Sequence, residues 1–458
     1  MNNKTRTLAR RLWPLACFVI SLLVLHPRLT ATPIVADGYQ NLSIAVNIVQ
    51  HGVFSSAPTS LPDMVREPAW PALTAGLLWL TGHASTPAEV LAGQHALLFK
   101  QINLVFYALL ITAICSLISH QLRSLPYAIL GLALSLLVFY TTPRLFNYYN
   151  NEAPAALLLF IASLFLFRLQ QQPRTGTAVA AGLALGLLAL TKAQFLYIPL
   201  VPLLILAWRY RRHAAVAAGV FLLVVTPWMV RNALLFDHYT IAERGKTVAA
   251  VRLMLTVAPS GSEYRCMAYA FSHPSLRPAA GKITGISAQD FLRHGRCERL
   301  NRETCFDMGT ERVPCTPFAG DLPPAPWQQR VQYFYRGFAA GEEMEAGRLR
   351  FADITPLNGH LISRYLITLP LFAWRGMGFS GYPLLSIALT LSLFALCFTR
   401  YRAFSLPAAT AHLFHLALTH NIPRYHIAEL GVMLVAAVWL TGLSGQWIVR
   451  RLLHGNAP

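Results

Sequence analysis

The sequence predicts an all-α polytopic membrane protein. Three observations predict it: a 458-residue composition that is 55% hydrophobic and only 12% charged, a mean hydropathy of +0.45, and a succession of apolar runs long enough to cross a bilayer core. The architecture expected is a bundle of about ten transmembrane helices with interfacial helices and a disulfide-containing extracytoplasmic insert. Disorder and an ordinary water-soluble globule are both excluded by so apolar a chain. A formal charge of +19 would point to nucleic acid in a soluble protein. In a membrane protein it is read as topology, so no nucleic-acid partner is expected.

The first run, 12 to 30, follows the basic start MNNKTRTLARR, which the positive-inside bias keeps in the cytoplasm. It is read as an uncleaved span, because TATP at 30 to 33 is a poor signal-peptidase site. Residues 31–67 form a first outer loop. Within it Leu42, Ile44, Ala45, Ile48 and Val49 recur at helical spacing, which lays one face of a helix on the membrane surface. The short run 68–82, restarted by Pro68 and Pro71, is an interfacial helix. Further spans are expected near 97–119, 125–141, 152–168, 176–190, 195–208 and 214–230, completing an N-terminal membrane module over 1–230. A polar insert occupies 231–360; an interfacial helix at 361–376 and spans at 381–399, 404–419 and 427–445 complete the C-terminal module, 361–458.

Ten crossings leave both termini in the cytoplasm and collect Arg123, Arg168, Arg174, Arg209, Arg211, Arg212, Arg400, Arg402, Arg450 and Arg451 on the inner side. The insert holds 13 of the 19 acids, leaving Asp37, Asp63, Glu67, Glu89, Glu152 and Glu429 elsewhere, all at or near the outer face. Charge sorting does not require that placement, since carboxylates contribute little to topology. One-sided acidity is therefore a site signal.

Cys266, Cys297, Cys305 and Cys315 lie in the insert and suggest two disulfides outside a bacterial inner membrane, the expected location, or in an ER lumen. Four cysteines allow three pairings, and spacing does not choose among them. Unpaired thiols or a zinc cluster is the competing reading, weakened by the lack of any CxxC unit. The insert, rich in Pro, Gly and Arg, is expected to be a small irregular α/β or loop-rich domain. No P-loop, GxGxxG or HExxH occurs, so nucleotide-driven chemistry has no support.

Several stretches taken together resemble a family. An Asp at the end of the first span, a Tyr two residues on, an amphipathic helix ending in HG and the sequence REPAWP resemble the first outer loop of GT-C glycosyltransferases. These lipid-linked sugar transferases include protein O-mannosyltransferases and the aminoarabinose transferase of lipid A. NNEAPAALLLF (150–160), GLLALTKAQFLYIPL (186–200), TPWMVRNALLFDHY (226–239) and NIPRYHIAEL (421–430) follow in matching order. The resemblance covers roughly 12–240 and 381–445, and PWMVRN is its most specific piece.

The resemblance implies a GT-C-like bundle, a sugar donor carried on a polyprenyl phosphate or diphosphate, and inverting transfer to an extracytoplasmic glycan, lipid or protein acceptor. It implies Asp37 as catalytic base or acceptor-positioning carboxylate and Glu152 as a second acidic position. A capping role for Asp37 and a helix-dipole role for Glu152 are the structural alternatives. In the aminoarabinose transferase the pair before the Pro-rich turn is Glu then Lys, and the Lys meets donor phosphate. Here the charges are reversed, so phosphate contact falls to Arg66, and Glu67 is left to substrate binding. Lys192, in a tight outer turn where a cation has no topological benefit, joins Arg66, Arg231 and Arg424 as expected phosphate-binding cations. Snorkelling or interfacial anchoring would also account for Lys192, Arg231 and Arg424. Tyr39, Tyr148, Tyr149 and Tyr425 are expected at the substrate, although an aromatic belt explains such residues too.

His412 and His415 lie one turn apart, with His420 and His426 nearby; packed or hydrogen-bonded histidines are the expectation, with metal ligation the lesser reading. Some relatives use a divalent cation and others do not, so a metal stays open. Two other function classes compete: a transporter or lipid flippase, which would need mid-bilayer ionisable residues and broken helices, and a non-catalytic assembly subunit.

Overall fold

The computed structural model describes residues 3–34, 37–57, 61–82, 89, 95–243, 245–257, 261–291, 295–297, 344, 350 and 358–454. Sixteen α-helices and no strand occur among the described residues, so the fold is all-α. These residues fall into two compact units, one within 1–242, 380–412 and 426–458, the other within 243–379 and 413–425.

In the first unit, α1 (Asn3–Leu25) is followed by α2 (Asp37–His51) and α3 (Ala69–Thr81). Then come α4 (Ala96–Leu122), α5 (Leu125–Thr141), the single turn α6 (Arg144–Asn147), α7 (Glu152–Gln171) and α8 (Thr175–Thr191). The long helix α9 spans Leu200–Phe236. Among the described residues four helical stretches, 96–122, 152–171, 193–236 and 423–444, are long and apolar enough to cross a membrane. On α9, Leu204, Trp208, Leu222, Leu223 and Leu234 are exposed. In water such a surface would be an aggregation hazard, whereas lipid solvates it at no cost, as expected of a membrane protein.

The runs expected as separate helices, 195–208 and 214–230, fall on either side of Tyr210, where helical geometry breaks (φ −131°, ψ 50°), so α9 is two helical segments joined at a kink. The break falls in the Arg-rich stretch of Arg209, Arg211 and Arg212, between the two apolar runs. α8 meets α9 through Gly182 and Gly186, four residues apart. A Cβ at Gly182 would lie 2.4 Å from the Ala217 carbonyl, and one at Gly186 would lie 2.6 Å from the Val224 Cβ. Small residues at that spacing let two helix backbones approach closely.

The second unit contains α10 (Gly245–Val257), α11 (Gly261–Phe271), α12 (Arg277–Thr284) and α13 (Gly359–Gly376). The expected α/β or loop-rich insert is thus helical where it is described. Val251 and Leu255, like Cys266 and Ala270, repeat at four residues and bury one face. That local period outweighs the Pro and Gly content of the insert as a whole. Cys266 and Cys297 form a disulfide; Cys305 and Cys315 lie outside the described residues. The chain ends with α14 (Pro383–Cys397), α15 (Arg402–Leu418), a short helical turn over Pro423–Glu429, and α16 (Leu430–His454).

Candidate functional site

The first unit brings five of the expected site residues into one network. Asp37 opens α2, and Gly38 follows it because the backbone of Tyr149 comes so close that a Cβ there would sit 2.7 Å from its carbonyl oxygen. Arg66 pairs with the Asp37 carboxylate and also donates from Nε to Gln40 Oε1 at 2.9 Å. Asp37 and Gln40 stand one helical turn apart, so a single guanidinium fork reaches both.

Glu67 turns the other way. Its Oε1 accepts the Ala193 backbone N–H at 3.0 Å, and its Oε2 accepts from Asn151 Nδ2 at 3.3 Å. Asn151 also donates to the Thr191 carbonyl at 2.7 Å, tying the start of α7 to the end of α8. Lys192 ends α8 with extended backbone and is buried, its Nζ 3.2 Å from Glu152 Oε1. Two acid–cation pairs, Asp37 with Arg66 and Glu152 with Lys192, are thus bridged by Glu67 and Asn151. Glu67 and Asn151 thereby hold together the chain segments that carry the two pairs.

Tyr149 is fully buried between Trp70 and Phe99, its hydroxyl 2.6 Å from Thr74 Oγ1, which makes it a packing residue. Tyr148 is exposed, and with Thr32, Arg144 and Asn147 it lines a cavity of about 430 Å³. Tyr39 is half-buried against the same apolar cluster as Tyr149. Arg231 donates to the Asp63 carbonyl at 3.0 Å and to Asn232 Oδ1 at 2.7 Å, with its guanidinium 4.4 Å from the Trp228 ring centre. It therefore ties the loop between α2 and α3 to α9.

Arg424 and Tyr425 belong to the second unit, where Arg424 is exposed and Tyr425 is buried beside His415 and His420. Arg375 donates to the His420 carbonyl at 3.0 Å. Burial, followed by the charges of Arg375, Arg424 and Arg252, holds the His420 pKa well below its usual value. Arg252, in α10, lies 3.5 Å from the Phe372 ring centre and has no hydrogen bond among the described residues. Burial pushes its pKa down to about 10, partly offset by the Tyr365 hydroxyl, which acts through its field rather than a well-aligned hydrogen bond. It remains a cation at neutral pH.

A further cluster lies in the first unit. His412 Nδ1 is 2.7 Å from Glu429 Oε2, and His426 Nδ1 is 3.0 Å from the same oxygen. Both rings thus meet Glu429, and the ring beside His412 is that of His426, 4.2 Å away centre to centre. Sequence proximity along one helix had favoured His415, whereas the turn after α15 folds His426 and Glu429 back onto His412.

Gln40, Asn151 and Lys100 went unrecognised in the sequence. The first two sit inside stretches already singled out, at one-turn spacing from Asp37 and next to Glu152. Lys100 lies within an apolar run, itself a signal. It donates to the carbonyls of Thr30 (2.8 Å) and Thr32 (2.6 Å), fastening the segment that leads into α2. Comparison of the chain with protein-family models and with curated proteins finds no match to either.

Proposed function

We propose that the protein is an integral membrane glycosyltransferase of the GT-C type, which moves a sugar from a polyprenyl-phosphate-linked donor to an acceptor on the extracytoplasmic face. On this reading about ten helices span a bacterial inner membrane and the insert is extracytoplasmic. The observation that carries it is the convergence of Asp37, Arg66, Glu67, Glu152 and Lys192 in one network. Sugar transfer from a lipid phosphate needs both charge types together: cations to stabilise the departing phosphate and a carboxylate to take the acceptor proton.

In the proposed reaction the acceptor oxygen attacks the anomeric carbon from the face opposite the phosphate. The new glycosidic bond forms as the carbon–oxygen bond to phosphate breaks, the polyprenyl phosphate leaves with that electron pair, and Asp37 receives the proton. Donor phosphate would replace Asp37 as the anion facing Arg66, so donor binding would release the carboxylate to act as base. Glu152 keeps Lys192 in place.

The test compares glycolipid and envelope-glycan mass profiles from cells with wild-type protein, with none, and with Asp37→Asn at matched abundance. A hexose, pentose or amino-sugar mass difference present only with the wild type is the expected result. Identical profiles in all three would overturn the transferase reading. A difference that survives Asp37→Asn would remove Asp37 from its role.

A further inference from the structure

We propose that His412, His426 and Glu429 form a binding site for a divalent transition-metal ion of the zinc class, clamping α15 to the turn that leads into α16. The site does not depend on the transferase reading, and none of its residues belongs to the Asp37 network.

Three facts place the ligands. His412 projects from α15, while His426 and Glu429 stand three residues apart on the short helical turn Pro423–Glu429, so two separate segments supply the donors. All three side chains are buried, His426 and Glu429 completely. The potential donor atoms lie within 4.8 Å of one another, and both Nδ1 atoms address the same carboxylate oxygen.

The two rings lie 4.2 Å apart, centre to centre, close enough that two imidazolium charges would repel strongly in a buried site. One carboxylate oxygen then serves two ring nitrogens. A dication in place of the ring protons would coordinate both neutral imidazoles and the carboxylate together, offsetting the buried negative charge.

Ligand chemistry selects the ion. Two imidazoles and one carboxylate suit zinc and its first-row neighbours, whereas magnesium and calcium require sets dominated by oxygen. Zinc bound at its usual N and O distances holds tetrahedral donors about 3.3 Å apart. The two nitrogen–oxygen separations here are 2.7 and 3.0 Å, and all three donor atoms lie within 4.8 Å of one another. The ring of Phe394, its centre 5.5 Å from that of His412 and nearly perpendicular to it, limits how far the imidazole can swing. Three protein donors leave one tetrahedral position for water or another oxygen ligand.

The test uses the full chain purified in detergent through an affinity tag without histidine. Metal content is measured by inductively coupled plasma mass spectrometry, and the thermal unfolding midpoint is followed through chelation and zinc add-back. Stoichiometric transition metal, a Tm that falls on chelation and recovers with zinc, and loss of bound metal in Glu429→Gln are expected. Cobalt loaded into the wild-type protein should give visible d–d absorption of a low-coordinate site, a readout independent of whether the variants fold. Substoichiometric metal, together with no cobalt spectrum and no response of Tm to zinc, would overturn the site and leave a hydrogen-bonded His–Glu–His cluster.

Discussion

Arg66 bonds to the Asp37 carboxylate across 29 residues of chain, so the acid at the start of α2 and the cation before α3 are one unit. Both side chains are largely shielded from water, which makes the pair stronger than a surface ion pair and more damaging to break.

That pairing predicts energetic coupling. Asp37→Asn and Arg66→Met should each lower unfolding stability by about 1.5–3 kcal/mol, the range for hydrogen bonds to charged groups. The double variant should lose less than the sum. A double-mutant cycle from unfolding in mixed micelles measures this, and strict additivity would show the pair to be energetically silent.

Lys192 and Glu152 make a sharper case, because both are buried. Lys192→Met strands an acid out of water and should cost about 3–5 kcal/mol. Adding Glu152→Gln removes that charge and should restore much of the loss. Thermal unfolding of the single and double variants checks it; a double variant less stable than Lys192→Met contradicts the argument.

At Gly38 the limit is steric. Gly38→Val places its Cβ 2.7 Å from both the Tyr149 carbonyl oxygen and the Ile34 side chain. It should therefore cost about 1–3 kcal/mol, typical of overpacking. Amide hydrogen exchange should show faster opening in α2 than in the wild type.

In the second unit, Asp290 has its pKa lowered to about 2, chiefly by the hydrogen bond from Arg296 at 2.7 Å, with further donation from Ser287. A carboxylate depressed in the folded state contributes stability that is complete above its unfolded pKa, about 3.9, and is lost as pH falls toward the folded value. The Asp290 carbonyl also receives the Cys297 amide at 2.7 Å, next to the Cys266–Cys297 disulfide. Protection of the Cys297 amide should therefore hold steady above about pH 4 and decline below it. Arg296→Ala should move the decline to higher pH. Hydrogen–deuterium exchange across pH 2.5 to 6 would read both effects at about that range.

Much of the fold was legible because helix formation here follows one-dimensional patterns. The periodicity of Leu42, Ala45 and Val49 marks α2, and Pro68 with Pro71 marks the start of α3. Tyr210 follows the same logic: the polar stretch between two apolar runs is where helical geometry breaks. In the insert, composition obscured local periods that Val251, Leu255, Cys266 and Ala270 carry plainly.

The candidate site was legible by residue type and not by pairing. Asp37, Arg66, Glu67, Glu152 and Lys192 stand out as charges in an apolar chain. Nothing in their spacing says that Arg66 faces Asp37 while Glu67, its neighbour, faces Asn151 and Ala193. For His412 the adjacent histidine on the helix looked nearest, and the true neighbours come from the next turn.

From the sequence alone came a helical chain rich in membrane-length segments and a short roster of acids and bases set against lipid-like surroundings. Tertiary structure alone decided which of these charges meet. Hydropathy reports how deep a residue sits along the bilayer normal, but contact depends also on rotation about each helix axis and on which helices are neighbours. Those are set by side-chain packing, such as the close approach of α8 to α9 at Gly182 and Gly186.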